Sequence, residues 1–319
     1  MKHLARTVIV LAPVALLAGC GSPTKPATAL PALSGPVPVV TALEQISRPV
    51  DPYLPTPTEV RTLISAANVL NARCMAGFGL RGTDTHPTDI DAHGVQVATA
   101  HTHLYGFFDP AIVATNGYDL IQLQTSQVAP GEPRPQPISD SAESVEIGRD
   151  TAGHPVTSYA GKSVPAEGCK AQAQQGTGGE LPDMSAAGLP DGGPVTPLSD
   201  PRVLDANKQW SACMRGKGYH FSTPYDAMTS EPAQDAQVVG PEGDRKVVHS
   251  PAEIAQATAD LACKQTTNFM GTATAVQDAY DRQYIAGHGP ALAEYRRQLD
   301  DRIRAAQQIV ASSGAPPSA

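Results

Sequence analysis

Seven histidines and aspartates crowd one short stretch, Asp84-Thr-His86-Pro-Thr-Asp89-Ile-Asp91-Ala-His93 followed by His101-Thr-His103. Imidazole and carboxylate are zinc-type ligands, and a His-x-His pair on a strand can supply two of them. His93, His101 and His103 are therefore the metal candidates. The segment reads as a polar loop and nothing fixes a third ligand, so no metal is assigned. Asp89-x-Asp91-x-His93-Gly94 begins like a calcium loop, but its twelfth position is Ala100 where a bidentate Glu is required. Gly77-Phe-Gly79-Leu-Arg-Gly82 fits the dinucleotide fingerprint in spelling only. It closes a helix, whereas that fingerprint follows a strand and opens one.

The cysteines carry a clearer pattern. Ala67–Leu80 and Ala206–Tyr219 share Ala-Asn, five residues, then Cys-Met-x-Gly-x-Gly and an apolar residue. Aligned on Cys74 and Cys213, six positions are identical, which reads as an internal repeat. Setting Cys20 aside, Cys74, Cys169, Cys213 and Cys263 allow three pairings. The repeat selects the one that closes each half on itself, Cys74–Cys169 and Cys213–Cys263. The chain-entropy model values loops of about 95 and 50 residues at roughly 4–5 kcal/mol each, as an upper bound. No Cys-x-x-Cys is present, so the thiols read as structural.

No Gly-x-Ser-x-Gly, His-Glu-x-x-His or phosphate loop occurs, so no catalytic residue and no cofactor is assigned. Tyr105, Phe107 and Trp210 are the candidates for lining a small-ligand cleft between the two halves. Trp210 stands where the first copy has Asn71, and core packing is its preferred reading.

Cys20 is a different case. Lys2, His3 and Arg6 precede the apolar run Val8–Leu17, which is too short to cross a bilayer and reads as a signal peptide over residues 1–19. It ends in Leu17-Ala18-Gly19-Cys20, which resembles a bacterial lipobox. That resemblance implies cleavage before Cys20, a diacylglycerol thioether on its sulfur and a membrane anchor. Residues 20–55 are rich in Pro, Ser, Thr and Ala and read as a semi-extended tether. The chain's formal charge is −8, and loss of the leader with Lys2 and Arg6 makes it −10. An acidic body is repelled by phosphate backbones, which argues against nucleic-acid binding.

These residues must be positioned by helices. The 319 residues contain 28 Gly and 30 Pro but only 5% aromatics, so cores are built from Ala, Val, Leu and Ile between long irregular connections. Residues 56–175 form the first half. Thr56-Pro57-Thr58-Glu59 is a capping box, and Val60, Leu63, Ile64, Ala67 and Leu70 keep helical spacing as far as Cys74. Tyr118–Gln124 reads as a strand, 130–152 as a mobile loop, Val156–Tyr159 as a paired strand, and Cys169 opens a short helix. Residues 176–199 are a Gly/Pro-rich linker. Residues 200–312 form the second half. Asp200-Pro201 caps the helix of Trp210 and Cys213, Tyr219–Phe221 reads as an edge strand, and 232–246 reads as a loop. Ser250-Pro251 caps a long helix whose face is Ala255, Ala262, Thr266, Phe269, Ala273, Val276 and Tyr280. Gly287-His-Gly-Pro290 should break it, before a last amphipathic helix along Leu292, Tyr295, Leu299, Ile303, Ala306 and Val310. That stripe packs on its own domain or docks a partner. Residues 313–319 read as a disordered tail.

The lipobox, the Pro-rich spacer, Arg48-Pro-Val-Asp-Pro-Tyr53, Cys74-Met75, Tyr105-Gly106, Gly161-Lys-Ser-Val-Pro165 before Gly168-Cys169, Trp210-Ser-Ala-Cys213-Met214 with Gly218-Tyr219, and Ala259-Asp-Leu-Ala-Cys263-Lys264 together resemble a group of secreted lipoproteins of high-GC Gram-positive, actinobacterial bacteria. The resemblance spans most of the mature chain and supports the localisation and the disulfide layout. The expected fold is mainly α with minor β, in two stapled, internally repeated halves plus a C-terminal amphipathic helix. The expected function is a membrane-anchored extracytoplasmic lipoprotein, non-catalytic, that binds or supports an envelope protein partner. A small-ligand binder and an envelope hydrolase with a dispersed site are the alternatives.

Overall fold

The computed structural model describes residues 29–83, 102–118, 138–234, 237–239 and 246–313. In chain order its helices are α1 (Pro57–Gly77), α2 (Val113–Asn116), α3 (Asp140–Ile147), α4 (Gly168–Gly176), α5 (Pro201–Gly216), α6 (Pro224–Met228), α7 (Pro251–Thr266) and α8 (Phe269–Ala311). Strands β1 (Ser158–Tyr159) and β2 (Lys162–Ser163) pair antiparallel, as do β3 (Gln237–Val239) and β4 (Lys246–Val248). The fold is mainly helical with minor β, as the sequence indicates.

Local chemistry sets the helix limits. The Thr56 Oγ1 accepts the Glu59 N–H at 3.2 Å and Glu59 Oε2 accepts the Thr56 N–H at 2.7 Å, which closes the capping box that starts α1. Asp200 caps α5 by accepting the Arg202 N–H at 2.9 Å, and Pro follows at the first helical position of both helices. Both also end alike. Gly79 (φ 72°) and Gly218 (φ 89°) take the left-handed conformation, and the Leu80 and Tyr219 N–H groups return to the carbonyls of Met75 and Met214 at 3.0 Å each. Met75 and Met214 are wholly buried beneath these turns.

Both expected disulfides are present. Cys74 of α1 joins Cys169 of α4, and Cys213 of α5 joins Cys263 of α7, each with Cα atoms 5.6 Å apart. The largest core cluster sets Trp210 and Met214 of α5 against Phe269, Met270 and Val276 of α8, with Phe107, Phe108 and Tyr118. A second cluster sets Leu63 and Ala66 of α1 against Leu299, Ile303 and Ala306 of α8. The amphipathic stripe of the last helix is thus buried on its own body, which removes it as a docking face. Because α1 packs on α8, the described residues from Pro31 onward form one compact unit.

Several boundaries differ from the sequence reading. From Pro31 the expected tether is part of the body: Val40, Leu43, Ile46 and Val50 are buried. Their spacing of three, three and four residues is helix-like, but Pro36, Pro38, Pro49 and Pro52 around them make the segment read as a tether. The expected linker 176–199 lies against α8, where Arg302 donates to the Thr177 and Glu180 carbonyls, Gln277 to Val195 and Tyr284 to Pro190. Backbone carbonyls held by side chains leave no hydropathy signal.

The long C-terminal helices are divided elsewhere than expected. Gly287–Pro290 does not break α8, which continues through Pro290. Pro290 and Ala286, whose carbonyl loses its partner, both face solvent, and Tyr284 and Leu292 clamp the helix on either side of them against Val50 and Leu189. The break falls at Asn268, in the left-handed region (φ 48°, ψ 39°), with its side-chain amide donating to the Pro38 carbonyl at 2.9 Å. Gly271 admits that carbonyl, since a Cβ there would lie 1.9 Å from the Pro38 oxygen.

The buried face of α7 is also not the apolar one expected. Ala255 and Thr266 are exposed, while Glu253, Gln256, Asp260, Cys263 and Lys264 are buried. Part of the expected 130–152 loop is α3, capped by Ser139, with Ala142 and Val145 packed on Cys169. Tyr219–Phe221 forms no strand, whereas β3 and β4 lie partly within the expected 232–246 loop. The expected strand after Tyr118 and the 313–319 tail beyond Ser313 lie outside the described residues.

Candidate functional site

The groups with chemical potential are gathered on the inward faces of α7 and α8. On α7 the first turn supplies Glu253, whose Oε1 accepts the Tyr118 N–H at 3.0 Å and faces His249 Nδ1 at 3.1 Å. One turn on, Gln256 donates to the Ala227 carbonyl at 2.8 Å. A further turn brings Asp260, which accepts the Trp210 indole N–H at 2.9 Å and pairs with Lys264 Nζ at 2.8 Å. Lys264 also donates to the Phe107 carbonyl. The spacing 253, 256, 260, 264 puts all four on one helix face. Burial pushes the Asp260 carboxyl up and the Lys264 ammonium down, and their mutual attraction opposes both shifts. Each charge is spent on its neighbour, so this arrangement holds α5, α7 and the 102–118 segment together.

On α8 a second cluster forms around Arg48 from the N-terminal segment. Arg48 grips Asp281 with two bonds, Nε to Oδ2 at 3.0 Å and Nη2 to Oδ1 at 2.7 Å, and Gln277 also donates to Asp281 Oδ1 at 2.8 Å. Thr274 and Asp278 stand on adjoining turns, and the Tyr105 hydroxyl faces Thr274 within the field of Arg48, Asp278 and Asp281. Tyr105 OH, Thr274 Oγ1 and Asp278 Oδ1 are buried with no hydrogen-bond partner among the described residues. Burial pushes the Tyr105 phenol up to about 12 and the Asp278 carboxyl up to about 6, the latter despite Arg282 nearby. Asp278 is therefore the group here whose proton is exchanged nearest neutral pH.

The candidates named from sequence separate clearly. Trp210, Tyr105 and Phe107 are 0%, 2% and 3% exposed, so they belong to the core and line no cleft. Phe107 meets Tyr118 edge to face, with ring centroids 5.7 Å apart. His103 is exposed and stacks on Tyr225 at 3.8 Å. His93, His101 and Cys20 lie outside the described residues, and among the described residues no three His, Cys, Asp or Glu side chains converge as metal ligands. Among the same residues, no helix is long and apolar enough to cross a membrane.

Sequence reasoning missed Asp260, Lys264, Glu253, Arg48 and Asp281. The i, i+4 spacing of Asp260 and Lys264 was a usable signal, but on an exposed helix face it is commonplace. A cavity of about 60 Å³ beside α1 is bordered by Ile64, Ala67, Asn71, Lys170 and Leu181, and a second of about 220 Å³ by Asn71, Leu80 and Arg81. Both fall below the few hundred cubic ångströms of an ordinary ligand pocket.

Comparison with protein-family models, with curated proteins and with solved structures returns no match.

Proposed function

We propose that the chain is a membrane-anchored lipoprotein facing outside the cytoplasm, lipidated on Cys20, which supports or binds an envelope protein partner without catalysing a reaction. The observation that carries this reading is the pair of disulfides. Structural disulfides persist in oxidising compartments, and here two of them close loops of 95 and 50 residues with Cys169 and Cys263 fully buried. An exported chain fits the leader and lipobox read from its first twenty residues. The non-catalytic part rests on the interior: Asp260, Lys264, Glu253, Arg48 and Asp281 are each engaged by a protein group and are spread through the packing between helices.

The two halves are, in this proposal, copies of one unit. Disulfide Cys, buried Met and the left-handed Gly that follows recur at matched positions at the C-terminal ends of α1 and α5, while the caps Thr56 and Asp200 stand at different distances from the Cys. The similarity to actinobacterial secreted lipoproteins belongs to the same proposal. Cross-linking in intact producing cells is the test of partner binding. Recovery of one envelope protein in a stoichiometric adduct supports it, and recovery of the chain alone across several cross-linker lengths counts against it.

A further inference from the structure

Unspent oxygens gather beside the Arg48–Asp281 pair. Thr274, Asp278 and Asp281 stand at i, i+4 and i+7 on α8, so they share one helix face. Asp281 is spent, since it accepts from both Arg48 and Gln277. Thr274 Oγ1 and Asp278 Oδ1 have no hydrogen-bond partner among the described residues, and neither does the Tyr105 hydroxyl that faces Thr274 from the 102–118 segment. Tyr105 is 2% and Thr274 4% exposed, so both hydroxyls lie too deep for bulk water to serve them. Buried polar atoms are normally satisfied, and neighbouring ones that the protein leaves unserved point to a guest.

Charge decides what the guest is. Around Asp278 stand Asp281 and Arg282 on its own helix, with Arg48 and Asp51 on the N-terminal segment. The Arg48 guanidinium is taken by Asp281, and Arg282 lies against the other carboxylate oxygen, Asp278 Oδ2, at 3.5 Å. Three carboxylates therefore face two guanidiniums, and an ionised Asp278 leaves one negative charge uncompensated. A water would answer the hydrogen bonds but not the charge. Calcium takes six to eight oxygens and draws on several carboxylates, whereas here the unspent oxygens include only one from a carboxylate. We propose that Asp278 Oδ1, Thr274 Oγ1 and the Tyr105 hydroxyl bind a small monovalent cation such as sodium, which ties the 102–118 segment to α8. The Asp278 side chain is 21% exposed, which gives the ion a route to solvent. Burial raises this carboxyl to about 6, so the ion binds above that pH and a proton displaces it below. The site does not depend on lipidation of Cys20.

Thermal unfolding of the full chain tests this at about pH 8 in about 0.3 M sodium chloride against tetramethylammonium chloride, a cation too large for the site, at equal ionic strength. We expect sodium to shift the folding equilibrium about tenfold toward the folded chain, read as a Tm about 3 °C higher. The difference should vanish near pH 4.5, and at pH 8 in Asp278→Asn and Thr274→Val. In tetramethylammonium at pH 8 Asp278→Asn should exceed the parent, and sodium should narrow that gap. Equal Tm values for the parent in the two salts overturn the proposal, as does a sodium effect that survives in both variants. A loss in Thr274→Val that is the same in either salt assigns a water instead. Sodium-23 relaxation on the parent needs no variant: line broadening at pH 8 that disappears near pH 4.5 is expected, and no broadening at pH 8 overturns the site.

Discussion

The Trp210 indole N–H donates to Asp260 Oδ1 at 2.9 Å, and neither side chain reaches solvent. Three residues later Cys213 joins Cys263, itself three residues after Asp260. A comparable arrangement of different residues stands beside the other disulfide. Asn71, three residues before Cys74, donates to the buried Glu146 at 2.6 Å, and the Thr83 N–H adds a second bond at 2.8 Å. Position-by-position identity shows nothing at Asn71 and Trp210, yet both do one task, a donor that satisfies a buried acid next to a staple.

Trp210→Phe removes the donor and, because phenyl is smaller than indole, also leaves a cavity whose cost adds to that of the lost bond. Asp260 Oδ1 then loses a bond in a place water does not reach, which costs about 1–3 kcal/mol. Urea unfolding followed by circular dichroism measures it. An unchanged midpoint would contradict the assigned bond.

The Asp260–Lys264 pair makes a sharper case. Asp260→Ala leaves an ammonium buried without its carboxylate and should cost about 3–5 kcal/mol. Asp260→Leu combined with Lys264→Met removes both charges and should cost much less than the single change. A double variant as unstable as Asp260→Ala shows that packing, rather than the stranded charge, sets the loss.

Much of this pairing lay hidden in the sequence because hydropathy periods report only apolar faces. The capping box of α1, the Cys-Met helices, the disulfides and the stripe of the last helix were legible, since each depends on a short-range pattern or on the shared spelling around Cys74 and Cys213. The face of α7 was not, because Glu253, Gln256, Asp260 and Lys264 are buried by partners distant in sequence. Pro290 misled for the opposite reason. Its local signal is strong, but solvent accepts the freed carbonyl and packing on both sides overrides the ring. The candidate aromatics were misplaced because residue type alone does not separate a core ring from a cleft ring.

Asp278 should make stability depend on pH in an unusual sense. Burial raises its carboxyl to about 6, above the ordinary unfolded value near 3.9, so the folded chain holds the proton more tightly than the unfolded one. Its contribution is favourable below about pH 4 and is lost as pH rises through 6. Asp278→Asn is therefore expected to raise the Tm at pH 7–8 and to leave it nearly unchanged at pH 4. Thermal unfolding across that range checks the sign, and a variant less stable at pH 8 contradicts it.

Gly271→Ala tests how the N-terminal segment is held. The new methyl would meet the Pro38 carbonyl, so the segment must lift from the Asn268 break. Limited proteolysis should then cut between Pro31 and Ile46 several-fold faster than in the parent. Equal cutting rates argue that the segment is bound elsewhere.

The cysteines predict that alkylation without reductant adds no mass at Cys74, Cys169, Cys213 or Cys263, and that full labelling of the four appears after reduction. Labelling of any of them beforehand contradicts the two staples.

The account turns on an exported chain fixed to a membrane through Cys20. Mass spectrometry of the N-terminal peptide, taken from the membrane fraction of cells that make the protein, measures this directly. The predicted result is a peptide that begins at Cys20 and carries a diacylglycerol thioether. A peptide that retains residues 1–19, begins elsewhere, or begins at an unmodified Cys20 contradicts it.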